Sequence, residues 1–222
     1  MKKILVAGST GLIGNTVIDL LMQRKDVLPI ALARRHLDKA PGLEQWIAKD
    51  DDLLSALKNE RVDAVICCLG TTIKKAGSKQ AFRAVDHDLV IGIAKWAKAN
   101  NVHTFCVVSA IGADPGSKIF YNKVKGEMER DLASIGLPVV HIFHPSILTG
   151  PRQETRIGER IGIVVISLVS PLMIGPLERY RPMPHDMLAQ ALINACDLPQ
   201  SGTYTYSEIK RIASGQKVAS RP

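Results

Sequence analysis

The sequence predicts an α/β fold, a doubly wound parallel sheet with helices on both faces. Two observations support this prediction. Short apolar runs alternate with amphipathic segments over the first 150 residues, and a glycine-rich turn separates the first run from the first amphipathic segment. Regular alternation of this kind is typical of right-handed βαβ units, whose strands lie side by side in one sheet. The chain has 222 residues, a length that suits a single domain.

Six apolar runs predict the strands, and amphipathic segments between them predict the helices. The strand segments are residues 4–7, 28–33, 45–48, 62–69, 104–109 and 139–143. The first helix follows the glycine-rich turn, and later helices are predicted over residues 53–57, 80–99 and 118–135. Ligands of such sheets bind at the carboxyl ends of the strands. The rim formed by those ends is expected to carry Gly8, Arg34, Gly70 and Ser109.

The turn after the first strand is the most informative local feature. Residues 1–14 read MKKILVAGSTGLIG, so an apolar strand runs through glycines into a helix. Gly8 and Gly11 let the backbone bend tightly and approach a pyrophosphate, and Gly14 lets the helix and the strand lie close together. The free N–H groups and the positive dipole end of the helix then face the anion. The turn therefore predicts a dinucleotide site, although its G-x-x-G-x-x-G spacing differs from the simplest fingerprint.

Charge and composition argue against a primary role in nucleic-acid binding. The formal net charge is +8, but the 29 lysines and arginines are spread along the chain. Aromatic residues make up only 5% of the sequence, which is too few for an obvious base-stacking surface. An anionic cofactor or substrate accounts for excess positive charge equally well.

Cysteine usage and the start of the chain predict a cytoplasmic protein. The four cysteines form no disulfide framework, and their spacing matches no zinc site, so we expect reduced thiols and no metal. The apolar stretch near residue 1 is interrupted by Gly-Ser-Thr-Gly and is too short for a signal peptide.

The βαβ rhythm stops after residue 150. We expect a cofactor-binding core over residues 1–150, a substrate-side extension over 151–213 and a flexible tail over 214–222. Residues 161–174 are almost wholly apolar but shorter than the roughly 18–20 residues that a membrane span needs. They predict a buried helix over the substrate cleft or the subunit interface of a homodimer, with a peripheral membrane contact as the alternative.

A serine, a tyrosine and a lysine form the candidate catalytic set. Tyr121 and Lys125 are four residues apart and therefore share one face of a helix. A free tyrosine has a pKa near 10, and a neighbouring ammonium, together with a positive nicotinamide ring, is expected to lower that pKa. Tyr121 would then exchange a proton with an alcohol or carbonyl, while Ser109 hydrogen-bonds the substrate oxygen. The alternative is that Lys125 merely solvates the helix and that Ser109 is a turn residue.

These residues together resemble a known superfamily. The glycine-rich turn, Ser109 and the Tyr121/Lys125 pair resemble the short-chain dehydrogenases/reductases, in their extended and atypical branches. The segments Cys-Cys-Leu-Gly-Thr-Thr (67–72), Lys-Ala-Gly (75–77) and Val-Asp-His-Asp (85–88) are similar to those of the oxidoreductases related to the HIV Tat-interacting protein. The resemblance extends over residues 1–195 and implies an NAD(P)-binding Rossmann fold.

The resemblance also implies where the cofactor binds. The residues around the pyrophosphate would be Gly8, Thr10, Gly11, Leu12, Ile13 and Gly14. Those beside the adenosine and the two riboses would be Cys68, Leu69, Gly70, Tyr121 and Lys125. Asp50 or Asp51 would bind the adenine amino group.

Two arginines bear on the choice of cofactor. Arg34 and Arg35 lie where the superfamily reads the adenosine ribose, and two arginines suit the 2′-phosphate of NADP better than the 2′-hydroxyl of NAD. NADP is therefore favoured, unless these arginines only solvate a loop.

The sequence departs from the superfamily pattern at two places. Asp86 stands where many extended members have asparagine, and His144-Pro145-Ser146 replaces the familiar Arg-Pro-Gly.

The resulting hypothesis is an NADP-dependent oxidoreductase that acts on a small carbonyl or alcohol of unknown identity. Two alternatives stay open at this point. One is a regulator or redox sensor that binds NADPH without turnover. The other is a sugar-nucleotide epimerase with permanently bound NAD, for which the chain is short and the arginine pair a poor fit.

Overall fold

The computed structural model describes residues 1–39, 41–49, 52–150 and 175–216. The strands in these ranges are β1 (Lys2–Ala7), β2 (Val27–Ala33), β3 (Glu44–Ile47), β4 (Ala64–Cys67), β5 (Thr104–Val108), β6 (Val139–Phe143), β7 (Leu148–Thr149), β8 (Met183–Pro184) and β9 (Gly202–Tyr204). The α-helices are α1 (Leu12–Met22), α2 (Ile73–Ala76), α3 (Lys79–Arg83), α4 (Leu89–Ala99), α5 (Phe120–Ala133), α6 (His185–Ala195) and α7 (Tyr206–Ala213).

The main sheet confirms the predicted doubly wound architecture. Among the described residues it has seven parallel strands in the order β3-β2-β1-β4-β5-β6-β9. The strand order reverses beside β1, which lies between β2 and β4. Such a switch point opens a crevice at the carboxyl ends of the strands, where ligands of this fold class bind. The strand β9 was not expected, because its three residues are too few to show a hydrophobic pattern.

Side chains of β1 alternate between the two faces of the sheet and join separate cores. Ile4 and Val6 lie in one core with α1, α6 and α7. Leu5 and Ala7 lie in the other, with α4 and α5. Each of these four residues is at most 1% exposed. A strand that is buried on both faces reads as a continuous apolar run, which is why the first strand was easy to recognise in the sequence.

The C-terminal helices lie against α1, although we assigned residues 151–213 to a substrate-side extension. Buried residues of α6 and α7, including Leu188 and Ile209, share one core with Val17 of α1. Asn194 of α6 donates a hydrogen bond to the Ile212 carbonyl of α7 at 2.8 Å. Residues 185–213 therefore complete the core on the α1 face of the sheet.

Two predicted helices differ from those observed. Residues 53–57 form only a short 3-10 helix, Leu53–Ala56, whose first turn is capped by the Asp52 side chain. The helix predicted over residues 80–99 is divided into α3, a π-turn over Ala84–Asp88, and α4. A π-turn accommodates an extra residue and is found frequently at functional sites. This one contains two buried polar residues, Asp86 and His87.

Several expectations fall outside the described residues. These are the adenine contact of Asp50 or Asp51, the apolar segment 161–174 and most of the tail, residues 217–222. Among the residues that are described, no helix is both long and apolar enough to span a bilayer.

A histidine and a tyrosine pair inside the sheet. His141 of β6 is fully buried, and its Nδ1 lies 2.9 Å from the hydroxyl of Tyr204 on β9. Burial lowers the pKa of His141 to about 4, because the charged imidazolium loses its hydration. The native protein therefore keeps this side chain neutral under conditions in which the unfolded chain protonates it.

We expect stability to fall as the pH drops from about 6.5 towards 4, because the unfolded state then binds a proton at His141 that the native state does not. At pH 5 this effect amounts to about 2 kcal/mol. The variant His141→Gln should lose that part of the pH dependence of urea unfolding. The exposed His103 provides the control His103→Gln, which should behave like the wild type. Equal losses between pH 7.5 and pH 5 in His141→Gln and the wild type would contradict the assignment.

Candidate functional site

Two glycines of the segment that joins β1 to α1 leave no room for a side chain. Gly8 has φ of +79°, and a Cβ there would lie 2.7 Å from the Cys68 carbonyl oxygen. A Cβ at Gly14 would collide with the Gly8 backbone, and the Gly11 N–H donates to the Gly8 carbonyl at 2.9 Å. Only glycine fits the first of these positions without strain. The turn therefore presents bare backbone at the switch point of the sheet, as the sequence predicted.

The start of α1 is suited to an anion. Gly11 is the N-cap and supplies no side-chain hydrogen bond, and the first turn contains no acidic residue. The first N–H groups of a helix lack intrahelical partners and lie at the positive end of the helix dipole. This is the arrangement that binds pyrophosphate in dinucleotide-binding folds. Of the other residues expected at the pyrophosphate, Thr10 is exposed, Leu12 is half-buried and Ile13 is buried.

The segment after β4 runs beside the glycine turn. The Cys68 N–H donates to the Ala7 carbonyl at 2.9 Å, which extends the pairing of β4 with β1. Leu69 and Gly70 follow, and the Cβ position of Gly70 would be 3.5 Å from an oxygen of Asp86 and 3.9 Å from the Lys125 nitrogen. Cys68, Leu69 and Gly70 were expected beside the adenosine and inner ribose. They lie between the glycine turn and the candidate catalytic lysine.

The two arginines expected at the adenosine ribose follow β2 directly. Arg34 and Arg35 are exposed, and neither pairs with a carboxylate of the described part of the chain. The Ser9 hydroxyl donates to the Leu32 carbonyl at 3.3 Å, so the glycine turn is tied to the end of the same strand. Both guanidinium groups are therefore available to an anion near the turn.

A buried ion pair lies at the centre of the site. Lys125 Nζ of α5 is 2.8 Å from Asp86 Oδ1 of the π-turn, and the two side chains are 3% and 1% exposed. The other carboxylate oxygen, Oδ2, accepts a hydrogen bond from the Thr71 N–H at 2.8 Å. Asp86 therefore joins three segments: the π-turn, α5 and the loop after β4. Pairing of this kind is what makes two buried charges tolerable.

The ion pair changes the expectation for Tyr121. We expected Lys125 to lower the tyrosine pKa, but the pKa of Tyr121 is raised. Burial is the largest cause, Lys125 opposes it, and the negative charge of Asp86 raises the pKa further. The ring lies against Phe82, with centroids 5.6 Å apart, and this contact keeps the phenol in an apolar environment. Without a bound nicotinamide ring, Tyr121 is therefore a proton donor at neutral pH.

Ser109 has a partner that the sequence analysis did not identify. Its hydroxyl donates to Glu129 Oε1 of α5, and the same oxygen lies 2.8 Å from His144 Nε2. Ser109 follows β5 and His144 follows β6, and the Ser109 N–H donates to the Phe143 carbonyl at 2.8 Å. The structure thus places Ser109 at the expected rim, with its proton directed to a carboxylate.

A sequence signal for Glu129 was present. Tyr121, Lys125 and Glu129 are spaced at four-residue intervals, so all three lie on one face of α5. His144 was noted only as a departure from the Arg-Pro-Gly pattern. Its contact with Glu129 depends on the pairing of β5 with β6, which local sequence patterns do not determine.

Comparison with known proteins gives one family match and several curated relatives. A family described as NAD(P)H-binding matches residues 8–162. Protein FMP52, mitochondrial, from Meyerozyma guilliermondii is 34% identical over 159 residues, which are 70% of this chain and 68% of that protein. Protein HTATIP2 from Rattus norvegicus is 32% identical over 166 residues, which are 71% of this chain and 67% of that protein. These findings confirm the resemblance that the sequence motifs indicated.

A solved structure supports the fold. The Bordetella bronchiseptica enzyme WbmH, in complex with NAD⁺, has a TM-score of 0.67 and 18% identity, with coverage of 96% of this chain and 79% of that one. At this identity the likeness concerns the fold alone.

The comparisons also correct the expected location. FMP52 relatives from several organisms are named mitochondrial, and the expectation of a cytoplasmic protein is therefore wrong. That expectation depended on cysteine usage and on the absence of a signal-peptide pattern near residue 1. Reduced thiols, however, do not distinguish one reducing compartment from another.

Proposed function

The chain belongs to this NAD(P)H-binding family, and from that premise we propose that it is an NADP-dependent oxidoreductase acting on a small carbonyl or alcohol. The observation that carries the proposal is the position of Tyr121. It lies one helical turn before the buried Lys125, whose nitrogen is 3.9 Å from the Cβ position of Gly70 in the loop beside the glycine turn. When bound, the cofactor would supply or accept the hydride.

The arginine pair supports NADP over NAD. Arg34 and Arg35 are exposed next to the turn, and no carboxylate of the described residues neutralises either of them. A 2′-phosphate offers several acceptor oxygens to a guanidinium fork, whereas a ribose hydroxyl is usually bound by a carboxylate. The bare backbone around Gly8 and the uncapped start of α1 would bind the pyrophosphate of the same molecule.

Lys125 would have two tasks in this proposal. Its ammonium lies 2.8 Å from Asp86 Oδ1 and carries three protons, so it could also donate to hydroxyls of the nicotinamide ribose. Its positive charge also limits the rise of the Tyr121 pKa. From one buried position, Lys125 would thus both bind the cofactor and limit the pKa of Tyr121.

Tyr121 is suited to the role of general acid in carbonyl reduction. A half-buried phenol that stays protonated at neutral pH has a proton to donate. Tyr121 would give its proton to the carbonyl oxygen as the carbonyl carbon accepts hydride, and the product would be an alcohol. The tyrosinate left behind would lie close to Lys125, whose charge would stabilise it until the proton is replaced.

The alternative function is NADPH binding without turnover. One observation favours it: Asp86 neutralises the lysine charge that would otherwise activate Tyr121. A protein of this kind would bind the cofactor through the same turn and arginines but would reduce no carbonyl. Measuring turnover and NADPH binding, with and without the Tyr121 hydroxyl, distinguishes the two functions.

The variant Tyr121→Phe should reduce NADPH-dependent turnover of a responsive carbonyl by about 10²- to 10⁴-fold, the usual contribution of a positioned general acid. NADPH affinity, measured by cofactor fluorescence, should change little, because the aromatic ring still lies against Phe82. The exposed Tyr180 provides the control Tyr180→Phe, which should keep full activity. Undiminished turnover in Tyr121→Phe would disprove the catalytic role. Tight NADPH binding with no turnover in the wild type would favour the alternative.

The double variant Arg34→Gln/Arg35→Gln should weaken NADPH binding by about 10²- to 10⁴-fold, since each of the two lost charged hydrogen bonds costs about 1.5–3 kcal/mol. NADH binding should stay within about twofold of the wild type. Titration of both cofactors by fluorescence checks this. The control is Arg61→Gln. Arg61 is exposed and precedes β4, so it lies at the amino ends of the strands, away from the rim formed by their carboxyl ends. Equal losses for both cofactors would contradict recognition of the 2′-phosphate.

A further inference from the structure

The two arginines lie in a loop that leaves the sheet next to the glycine turn. Arg34 directly follows β2, and the register of the sheet pairs Leu32 of β2 with Ala7, the last residue of β1. Adjacent strands lie about 4.8 Å apart. The arginine loop, defined as residues 34–39, and the glycine turn therefore leave neighbouring strands at the same edge of the sheet.

One side chain of the edge strand β3 holds this loop. Gln45 Oε1 accepts a hydrogen bond from the Leu37 N–H at 2.8 Å, and Gln45 Nε2 donates to the Leu37 carbonyl at 3.1 Å. The carboxamide thus pairs with both backbone groups of one residue, as a neighbouring strand does. Leu37 comes two residues after Arg35, and its own side chain is half-buried against the core that contains α1.

The other polar contact of the loop is weaker. Lys39 forms an ion pair with Asp19 of α1, whose side chain is 48% exposed. Ion pairs at the surface contribute little to stability, because water and salt screen them. Within the part of the chain that the structure describes, no backbone–backbone hydrogen bond holds positions 34–39. Gln45 is therefore the main polar constraint on the arginine loop.

The order of this loop matters for only one of the two nicotinamide cofactors. NADPH carries a 2′-phosphate for the guanidinium groups to bind, whereas NADH has a hydroxyl at the same place. A loop that is already held binds the phosphate without first losing backbone freedom. Each backbone residue that has to be ordered on binding lowers the affinity by a factor of about 5 to 30. A loose loop would therefore weaken the binding of NADPH and leave that of NADH unchanged.

We propose that Gln45 is a positioning residue that sets the preference for NADPH over NADH by holding the arginine loop beside the glycine turn. This inference rests on the proposed function, in which Arg34 and Arg35 bind the 2′-phosphate. Gln45 acts without contact to the cofactor. Its two hydrogen bonds fix Leu37, and Leu37 fixes the path of the chain that carries the two guanidinium groups.

The variant Gln45→Met tests this proposal, because it removes both hydrogen bonds and keeps the length of the side chain. Fluorescence titration gives the dissociation constants of NADPH and NADH. We expect NADPH binding to weaken by about five- to thirtyfold and NADH binding to stay within about twofold of the wild type. Gln45→Thr, which suits a strand and is too short to reach Leu37, should behave in the same way. The control is Gln23→Met, at an exposed glutamine that follows the last turn of α1.

Two further measurements distinguish positioning from a general structural role. In the background Arg34→Gln/Arg35→Gln the loop has no charge to position, so adding Gln45→Met should leave the ratio of the two dissociation constants unchanged. Hydrogen–deuterium exchange without cofactor reports on the loop itself. The Leu37 amide should exchange about fivefold faster in Gln45→Met than in the wild type, because its acceptor is gone.

The outcomes separate this inference from the function on which it rests. A loss of affinity that is selective for NADPH and disappears in the background without the arginines supports it. If the arginine variant loses the NADPH preference but Gln45→Met and Gln45→Thr keep the wild-type ratio, the inference is overturned and the proposed recognition of the 2′-phosphate stands. Equal losses for both cofactors, or unchanged exchange of the Leu37 amide, also overturn the inference alone. An arginine variant that keeps the NADPH preference overturns both.

Discussion

The Asp86–Lys125 ion pair is the interaction on which the candidate site depends. Both charges are nearly inaccessible to water, so each is tolerable only because the other is present. The second oxygen of Asp86 accepts the Thr71 N–H, which secures the loop after β4 beside the glycine turn. One carboxylate therefore joins the loop beside the glycine turn to the helix that carries Tyr121.

The surroundings of this pair reinforce its geometry. The π-turn that carries Asp86 is also bound to α5 by His87, whose Nε2 lies 2.9 Å from Asp131. The end of α3, just before this turn, is bound to α5 by the ion pair of Arg83 with Glu127. The chemical consequence appears at Tyr121. Lys125 lowers its pKa, while Asp86 and burial raise it, so the phenol stays protonated when no nicotinamide ring is present.

Local pattern explains what could be predicted from the sequence. The first strand and the glycine turn depend on neighbouring residues, and the Tyr121/Lys125 pair needs only helical periodicity. The π-turn, the pairing of Asp86 with Lys125 and the contact of Glu129 with His144 join segments that are distant along the chain, and no local pattern encodes them. Of these features, the sequence alone could have indicated only that Glu129 shares a helix face with Tyr121 and Lys125, because the three are spaced by four residues.

A double-mutant cycle tests most directly whether the ion pair holds the site together. Urea unfolding is measured for Asp86→Asn, which retains an acceptor for Thr71, for Lys125→Met, which retains the apolar stem, and for the double variant. Each single variant leaves one buried charge unpaired and should lose about 3 kcal/mol of stability, whereas the double variant should lose no more than either single one. Single losses that add within about 0.5 kcal/mol in the double variant would contradict the account.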